Sequence, residues 1–172
     1  MTEVQDKILE FANKVSGKKV GAKGAVTVTD ARYKILEPLL TEEMVDVALS
    51  MKMRTPMTVE EIAAECGKSI EDTKRIVWEL AMAGVSILSS ASGEDKFWYE
   101  PWVPGIMEMI VNSKENIRKH PEVAESFERY GVENGPRSIG SFPAGTGLMR
   151  VIPIESAIDG ESRRASYEEI ST

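Results

Sequence analysis

The stretch TVEEIAAECGKSIEDTKRIVWELAMAGVSILSSASGEDKFWYE, residues 58–100, contains the clearest structural signals in the sequence. It begins with a capping box, because the Thr58 hydroxyl is placed to accept the amide hydrogen of Glu61 while the Glu61 carboxylate reaches back. Gly67 follows the first apolar run, at the position where a left-handed residue ends a helix. A second helix start comes at Ser69 and opens a longer amphipathic run. Two helices joined by a tight turn that contains glycine predict a helix-turn-helix.

The residues after the second helix indicate which kind of helix-turn-helix this is. Residues 85–90 have the composition of a strand, residues 91–95 are turn-forming, and residues 96–100 form a second strand rich in aromatic side chains. A hairpin directly after the second helix is a wing. We therefore predict a mainly α fold with a small β component (α+β), a winged helix-turn-helix with flanking helices and a C-terminal extended segment.

The 172 residues fit one domain with appendages. We predict three segments. They are an N-terminal helix and linker (residues 1–40), the winged helix (residues 41–104), and a helical extension with a Gly/Pro-rich loop and a strand (residues 105–172).

The third segment has its own predicted order of elements. A helix over residues 104–119 precedes a second helix that starts at Pro121, where the missing amide of proline costs nothing. A loop over residues 131–147 and a strand over residues 149–154 follow. The chain stops where residues 167–170 begin another element. We therefore expect this sequence to be a fragment of a longer protein.

Composition narrows the classes of protein to be considered. The sequence has no run of about 18 apolar residues, so we expect no membrane span. The acidic N-terminus lacks the basic and then apolar pattern of a signal peptide. A single cysteine, Cys66, excludes an internal disulfide and a cluster held by several cysteines of one chain. These features favour a cytoplasmic protein.

The helix-turn-helix supplies a set of candidate DNA contacts. In DNA-binding proteins of this kind the second helix and the wing meet phosphates and base edges. The corresponding residues here are Lys68, Ser69, Thr73, Lys74, Arg75 and, on the wing, Lys96. The alternative is that they form a solvated face, which Glu71, Asp72 and Glu79 on the same helix favour.

Charge disfavours the DNA interpretation. Residues 41–100 contain six Lys/Arg against twelve Asp/Glu, a net of −6, whereas the whole chain has a net charge of −7. Neutralisation of phosphates supplies most of the non-specific affinity for DNA. The region with the fold of a DNA-binding domain is therefore the most acidic part of the chain, and we do not expect nucleic acid as its partner.

Four aromatic side chains are the candidates for a protein interface. They are Phe97, Trp98, Tyr99 and Trp102. Because a strand buries only alternate side chains, we expect two of these rings on an outer face, where they would anchor a protein partner or a second copy of the chain. The alternative is that the rings pack against the helices that follow.

Several ordered blocks between residues 33 and 172 look like one protein region. They are ILEPLLTEEM (35–44), MTVEEIA (57–63), CGKSIEDT (66–73), ELAMAGV (79–85), HPEVA with FER (120–129) and VIPIE (151–155). Together they resemble the N-terminal region of anaerobe-type pyridine nucleotide-disulfide oxidoreductases that also contain ferredoxin-like 4Fe-4S domains.

The resemblance implies an accessory domain beside a redox enzyme. In that family this region precedes cysteine-rich cluster motifs and a flavin- and nucleotide-binding domain. This sequence has neither a Cys-x-x-Cys run nor a Gly-x-Gly-x-x-Gly that follows a strand. FAD, NAD(P) and the 4Fe-4S clusters are therefore expected only in domains outside this sequence. No catalytic, cofactor-binding or metal-binding residue is assigned within it.

Three functions follow as hypotheses. The first is a non-catalytic winged-helix accessory domain whose partner is a neighbouring redox domain or subunit, or a second copy of the chain. The second is a winged-helix DNA-binding transcription regulator, which a basic stripe unopposed by carboxylates would favour. The third is the sensing of a small ligand between the wing and residues 104–130, for which the sequence shows no polar constellation.

Overall fold

The computed structural model describes residues 2–140, and the environments of side chains through Asn134. The strand predicted over residues 149–154, most of the Gly/Pro-rich loop and the C-terminal tail lie outside the described residues. Within the described part the fold is mainly helical with one small antiparallel sheet. This confirms the α+β class.

Eight α-helices and two strands follow one another in the described part. The helices are α1 (Glu3–Val15), α2 (Ala31–Leu36), α3 (Glu42–Ser50), α4 (Val59–Cys66), α5 (Ile70–Met82), α6 (Met107–Asn112), α7 (Lys114–Lys119) and α8 (Glu122–Gly140). The strands are β1 (Ile87–Ser89) and β2 (Lys96–Trp98). An irregular turn, Trp102–Ile106, connects β2 to α6.

The caps of α4 and α5 are formed as the sequence predicts. The Thr58 hydroxyl accepts the amide hydrogen of Glu61 at 3.3 Å, and the Glu61 carboxylate accepts that of Thr58 at 2.9 Å. Gly67 ends α4 in the left-handed conformation, with φ of 68°. The Ser69 hydroxyl then caps α5 by accepting the amide hydrogen of Asp72. The tight turn between the two helices is therefore confirmed.

The hairpin has a third backbone partner. Strands β1 and β2 pair antiparallel, with Leu88 opposite Phe97. On the other side of β2, Phe97 exchanges two backbone hydrogen bonds with Met57, at 2.8 and 3.0 Å. The segment between α3 and α4 thus lies along β2 as a single antiparallel bridge.

One hydrophobic core joins the N-terminal helix to the hairpin. The rings of Phe11 in α1 and Tyr99 after β2 meet edge to face, with centroids 5.3 Å apart. Ile35, Val45 and Val123 bring α2, α3 and α8 into the same cluster of buried side chains. The helices that flank the helix-turn-helix are therefore packed into its core.

Two helix boundaries differ from the prediction. The expected helix over residues 104–119 is wrong, because it is two helices separated at Ser113, whose hydroxyl accepts the amide hydrogen of Asn116 and caps α7. The loop expected from residue 131 is also wrong up to Gly140, since α8 continues to that residue. An ion pair of 2.7 Å between Arg129 and Glu133 supports α8 at the point where the loop was expected.

Asn13 fixes the segment between α1 and α2. Its side-chain oxygen accepts the amide hydrogen of Val26 at 2.8 Å, and its amide nitrogen donates to the carbonyl oxygens of Val26 and Leu9. Asn13 and Val26 are both buried. This side chain satisfies the backbone of a segment that forms neither helix nor strand, where unpaired groups would be costly.

We expect Asn13→Ala to lower the free energy of unfolding by about 2–4 kcal/mol, because the buried amide and carbonyl groups of Val26 lose their partner. Urea titration followed by circular dichroism measures the change. Asn112→Ala is the matched control, since Asn112 is exposed and its amide bonds only to the Glu108 carbonyl. Equal effects of the two substitutions would contradict the role given to Asn13.

A second matched pair tests the packing of α6 on the end of α5. Gly84 and Gly67 both have positive φ, but a Cβ at Gly84 would lie 3.0 Å from the backbone of Ile110, whereas none of the described atoms lies within 4 Å at Gly67. We expect Gly84→Ala to cost about 1–3 kcal/mol more than Gly67→Ala, because only the first adds a clash to the backbone strain. Thermal unfolding of the two variants measures the difference, and equal melting temperatures would contradict it.

Candidate interaction surface

The aromatic side chains after the turn of the hairpin are mostly in the core. Phe97, Tyr99 and Trp102 are at most 3% exposed, and Trp98 is half-buried with its indole N–H donating to the Glu100 carboxylate at 3.0 Å. The expectation that two of these four rings lie on an outer face is therefore wrong.

Each buried ring has an aromatic neighbour that accounts for its burial. Phe97 meets Trp78 of α5, and Trp102 meets Tyr130 of α8, with centroids 6.1 and 5.7 Å apart. The alternation of the strand sends Phe97 and Tyr99 inward, and the irregular turn brings Trp102 inward as well. These rings stabilise the fold and do not form an exposed anchor.

The candidate DNA contacts do not form one basic surface. Thr73 is wholly buried, and its hydroxyl lies 3.8 Å from the Cys66 sulfur. The prediction that Thr73 reaches DNA is therefore corrected, because its position on α5 faces the core. The Ser69 hydroxyl is occupied as the cap of α5. Lys68 and Lys96 are half-buried.

Carboxylates oppose the most central cation of this set. The Arg75 guanidinium contacts Glu43 of α3 at 2.9 Å and Glu79 of α5 at 3.0 Å. The hydrogen bonds that Arg75 donates to Glu43 and, second, to Glu79 raise the pKa of Arg75 above its ordinary value. Because both arms of the guanidinium are engaged, a phosphate would have to displace a carboxylate from Arg75.

The outer side of α5 presents apolar side chains in place of a basic stripe. Ile70, Lys74, Trp78 and Met82 follow one another at intervals of four, the spacing that places side chains on one side of a helix. We call these four residues the α5 face. Ile70, Trp78 and Met82 are 53%, 39% and 66% exposed. Trp78 is held by its edge contact with the buried ring of Phe97, so its orientation is fixed.

Acidic side chains lie along one flank of the α5 face. Glu71, Asp72 and Glu79 are exposed on the same helix, and Glu43 reaches it from α3. Lys74 and Arg75 are the two cations of α5, against these four carboxylates. The surface therefore combines an apolar stripe with an acidic rim, a combination that suits a protein partner better than a polyanion.

Sequence reasoning did not single out Ile70, Trp78 or Met82 as exposed residues. Ile70 lies in the first turn of α5, where it is exposed. The interval of four that relates Ile70, Trp78 and Met82 was present in the sequence and would have identified the stripe. Lys74 obscured this interval, because it interrupts the three apolar side chains.

Among residues 2–140, no group of three or more His, Cys, Asp or Glu side chains is arranged to hold a metal ion. Likewise, none of the helices described here is both long and apolar enough to cross a membrane. Comparison of the chain with protein-family models, curated protein sequences and solved structures gives no match.

Tyr99 provides a test that depends on pH. Burial raises its pKa to about 12. The pKa of a tyrosine in the unfolded chain is about 10. The stability that comes from keeping Tyr99 neutral is therefore complete below about pH 10 and is lost as the pH rises to about 12. Among the described residues the Tyr99 hydroxyl has no hydrogen-bond partner.

We therefore expect Tyr99→Phe to change the free energy of unfolding at neutral pH by less than about 1 kcal/mol and to reduce the loss of stability above pH 10. Urea titrations at neutral and alkaline pH, with phenolate absorbance as a second readout, measure both effects. Tyr33, whose pKa burial and the Glu37 carboxylate also raise to about 12, keeps titrating late in the variant. A large loss of stability at neutral pH would contradict the packing described for Tyr99.

Proposed function

We propose that this chain is a winged-helix interaction domain without chemistry of its own, and that the α5 face docks on a protein partner. The observation on which the proposal depends is the pairing of an exposed Trp78 and Met82 with carboxylates on the helix that would otherwise read DNA. The partner then meets an apolar stripe where DNA would need cations.

The order of elements supports the winged-helix part of the proposal. Helix α3 is followed by the backbone bridge at Met57, the α4–α5 pair and the β1–β2 hairpin. The bridge from Met57 to β2 gives the hairpin a fixed base. Fold alone does not assign function, and winged helices are used for binding proteins as well as DNA.

Electrostatics support a protein partner over DNA. The candidate contacts Lys68 and Lys96 are half-buried, Thr73 is buried, and Arg75 is neutralised by two carboxylates. Lys74 is the one exposed cation of the candidate set without an ion pair among the described residues. A single cation supplies too little counterion release for DNA affinity at physiological salt.

The chemistry of the α5 face specifies the partner. An apolar stripe with an acidic rim complements an apolar surface with a basic rim. A second copy of the chain would place acidic rims against each other, which disfavours a homodimer through this face. The resemblance to the N-terminal region of iron-sulfur flavoprotein oxidoreductases leads us to propose a neighbouring redox domain as the partner. FAD, NAD(P) and 4Fe-4S clusters would belong to that domain. The lone free thiol of Cys66 favours a reducing, cytoplasmic setting.

Site-specific photo-crosslinking in the cells that make the protein tests the proposal. A photoreactive residue replaces Trp78 in the natural form of the protein, and an equal replacement of Glu60, exposed on α4, is the matched control. We expect one discrete adduct from position 78, identified by mass spectrometry as a surface of a flavin- or iron-sulfur-containing protein. Met82→Glu is expected to reduce this adduct at least about tenfold, because a buried charge would be left unpaired.

Binding to random duplex DNA across a salt series supplies the opposing outcome. We expect no binding at low salt. Binding that weakens steeply with salt and is abolished by Lys74→Glu together with Arg75→Glu would replace the proposal with a DNA-binding regulator. Adducts of equal yield from positions 78 and 60 would also reject the α5 face as the docking surface.

A further inference from the structure

A cleft away from the α5 face has the lining of a small-molecule site. It opens between the end of α1, the start of α2 and the segment after β2, with a volume of about 340 Å³. Ser16, Arg32 and Trp102 are polar residues of its lining, and Val15, Met53 and Val103 are apolar ones. The volume lies at the lower end of the range for small-molecule sites. None of its lining residues belongs to the α5 face.

Two residues of this lining each have a buried donor without a hydrogen-bond partner among the described residues. Trp102 is 3% exposed, and its indole N–H makes no hydrogen bond to any described residue. The Ser16 hydroxyl is likewise buried and unpartnered within the described part of the chain. Buried donors in native proteins are nearly always bonded, so two in one cleft call for an explanation. The clefts beside Lys52 and Lys18 have no such atom among their described lining.

Arg32 adds a fixed cation to the cleft. Its Nε and Nη2 donate to the two oxygens of Asp30, at 2.9 and 2.7 Å, which leaves Nη1 without a hydrogen bond among the described residues. Asp30 is itself held, because it accepts the amide hydrogen of Arg32 and caps α2. The guanidinium is therefore oriented before any ligand binds. Binding then requires little further loss of side-chain conformational entropy from Arg32.

We propose that this cleft binds a small carboxylate with an apolar body. The indole N–H, the hydroxyl and the free arm of the guanidinium are donors, so the ligand must supply acceptor oxygens. A carboxylate supplies two charged acceptor oxygens, which suits these three donors better than a single neutral carbonyl does. Val15, Met53 and Val103 accommodate the apolar part of the ligand. Because Asp30 balances the charge of Arg32, the site favours a singly charged acid over a phosphate.

Titration of the isotopically labelled full chain with benzoate, followed by NMR, tests the site. The indole N–H resonance of Trp102 is assigned by its loss in Trp102→Phe. We expect a saturable shift of this resonance and of the Gly17 and Val103 amides, with a dissociation constant of about 1 mM or tighter. Benzylamine, which has nearly the same size but no acceptor oxygen, is expected to give no saturable shift.

Variants distinguish the cleft from unspecific binding. We expect Ser16→Ala and Arg32→Gln each to weaken benzoate binding about tenfold, because each removes a hydrogen bond to a charged ligand. Arg118→Gln is the matched control and is expected to have no effect, since Arg118 is exposed on α7 and is not among the lining residues. The same spectra show whether each variant is folded, and Ser16→Ala decides the test if Arg32→Gln unfolds.

Three results would overturn the proposal. The first is an unchanged Trp102 resonance at saturating benzoate. The second is an equal response to benzylamine, and the third is benzoate binding that Ser16→Ala leaves intact. None of these results would affect the docking proposal, because the crosslinking from position 78 probes a different surface.

Discussion

Phe97 connects three parts of this fold. Its backbone exchanges two hydrogen bonds with Met57, it stands opposite Leu88 in the β1–β2 ladder, and its wholly buried ring meets Trp78. The hairpin, the α3–α4 segment and α5 are thereby held at one point. A two-stranded hairpin alone is marginally stable in water, so the β1–β2 hairpin depends on this third backbone partner and on the core beneath it.

The same contact explains why Trp78 is exposed and yet ordered. One edge of its ring rests on the buried Phe97, while 39% of the side chain remains accessible. An anchor held in this way loses little conformational entropy when a partner covers it. Met82, one turn further along α5, is flexible and can adapt to the surface it meets. The pairing of a fixed ring with an adaptable neighbour is a further reason for which we propose the α5 face as a docking surface.

Helix caps and turns that involve only neighbouring residues were predictable from the sequence. The capping box of Thr58 and Glu61 and the left-handed Gly67 depend on backbone groups within four residues, and both are formed. The bridge between Met57 and Phe97 was not predictable, because forty residues separate the two and one paired residue has no periodicity. The break at Ser113 was missed because apolar residues at helical spacing lie on both sides of it. Only the cap of α7 marks the break.

The inward turn of the aromatic side chains shows the limit of strand alternation as a guide to a site. Phe97 and Tyr99 follow the alternation and are both buried, but the alternation does not extend to Trp102, which lies beyond the strand. Contact with Tyr130 of α8 buries the Trp102 ring, while the indole N–H has no hydrogen-bond partner among the described residues. Burial without a hydrogen bond is unfavourable for the fold by itself. The buried ring of Trp102 therefore stabilises the fold, whereas its unpartnered indole N–H, beside Ser16 and Arg32, is the observation from which we propose the cleft.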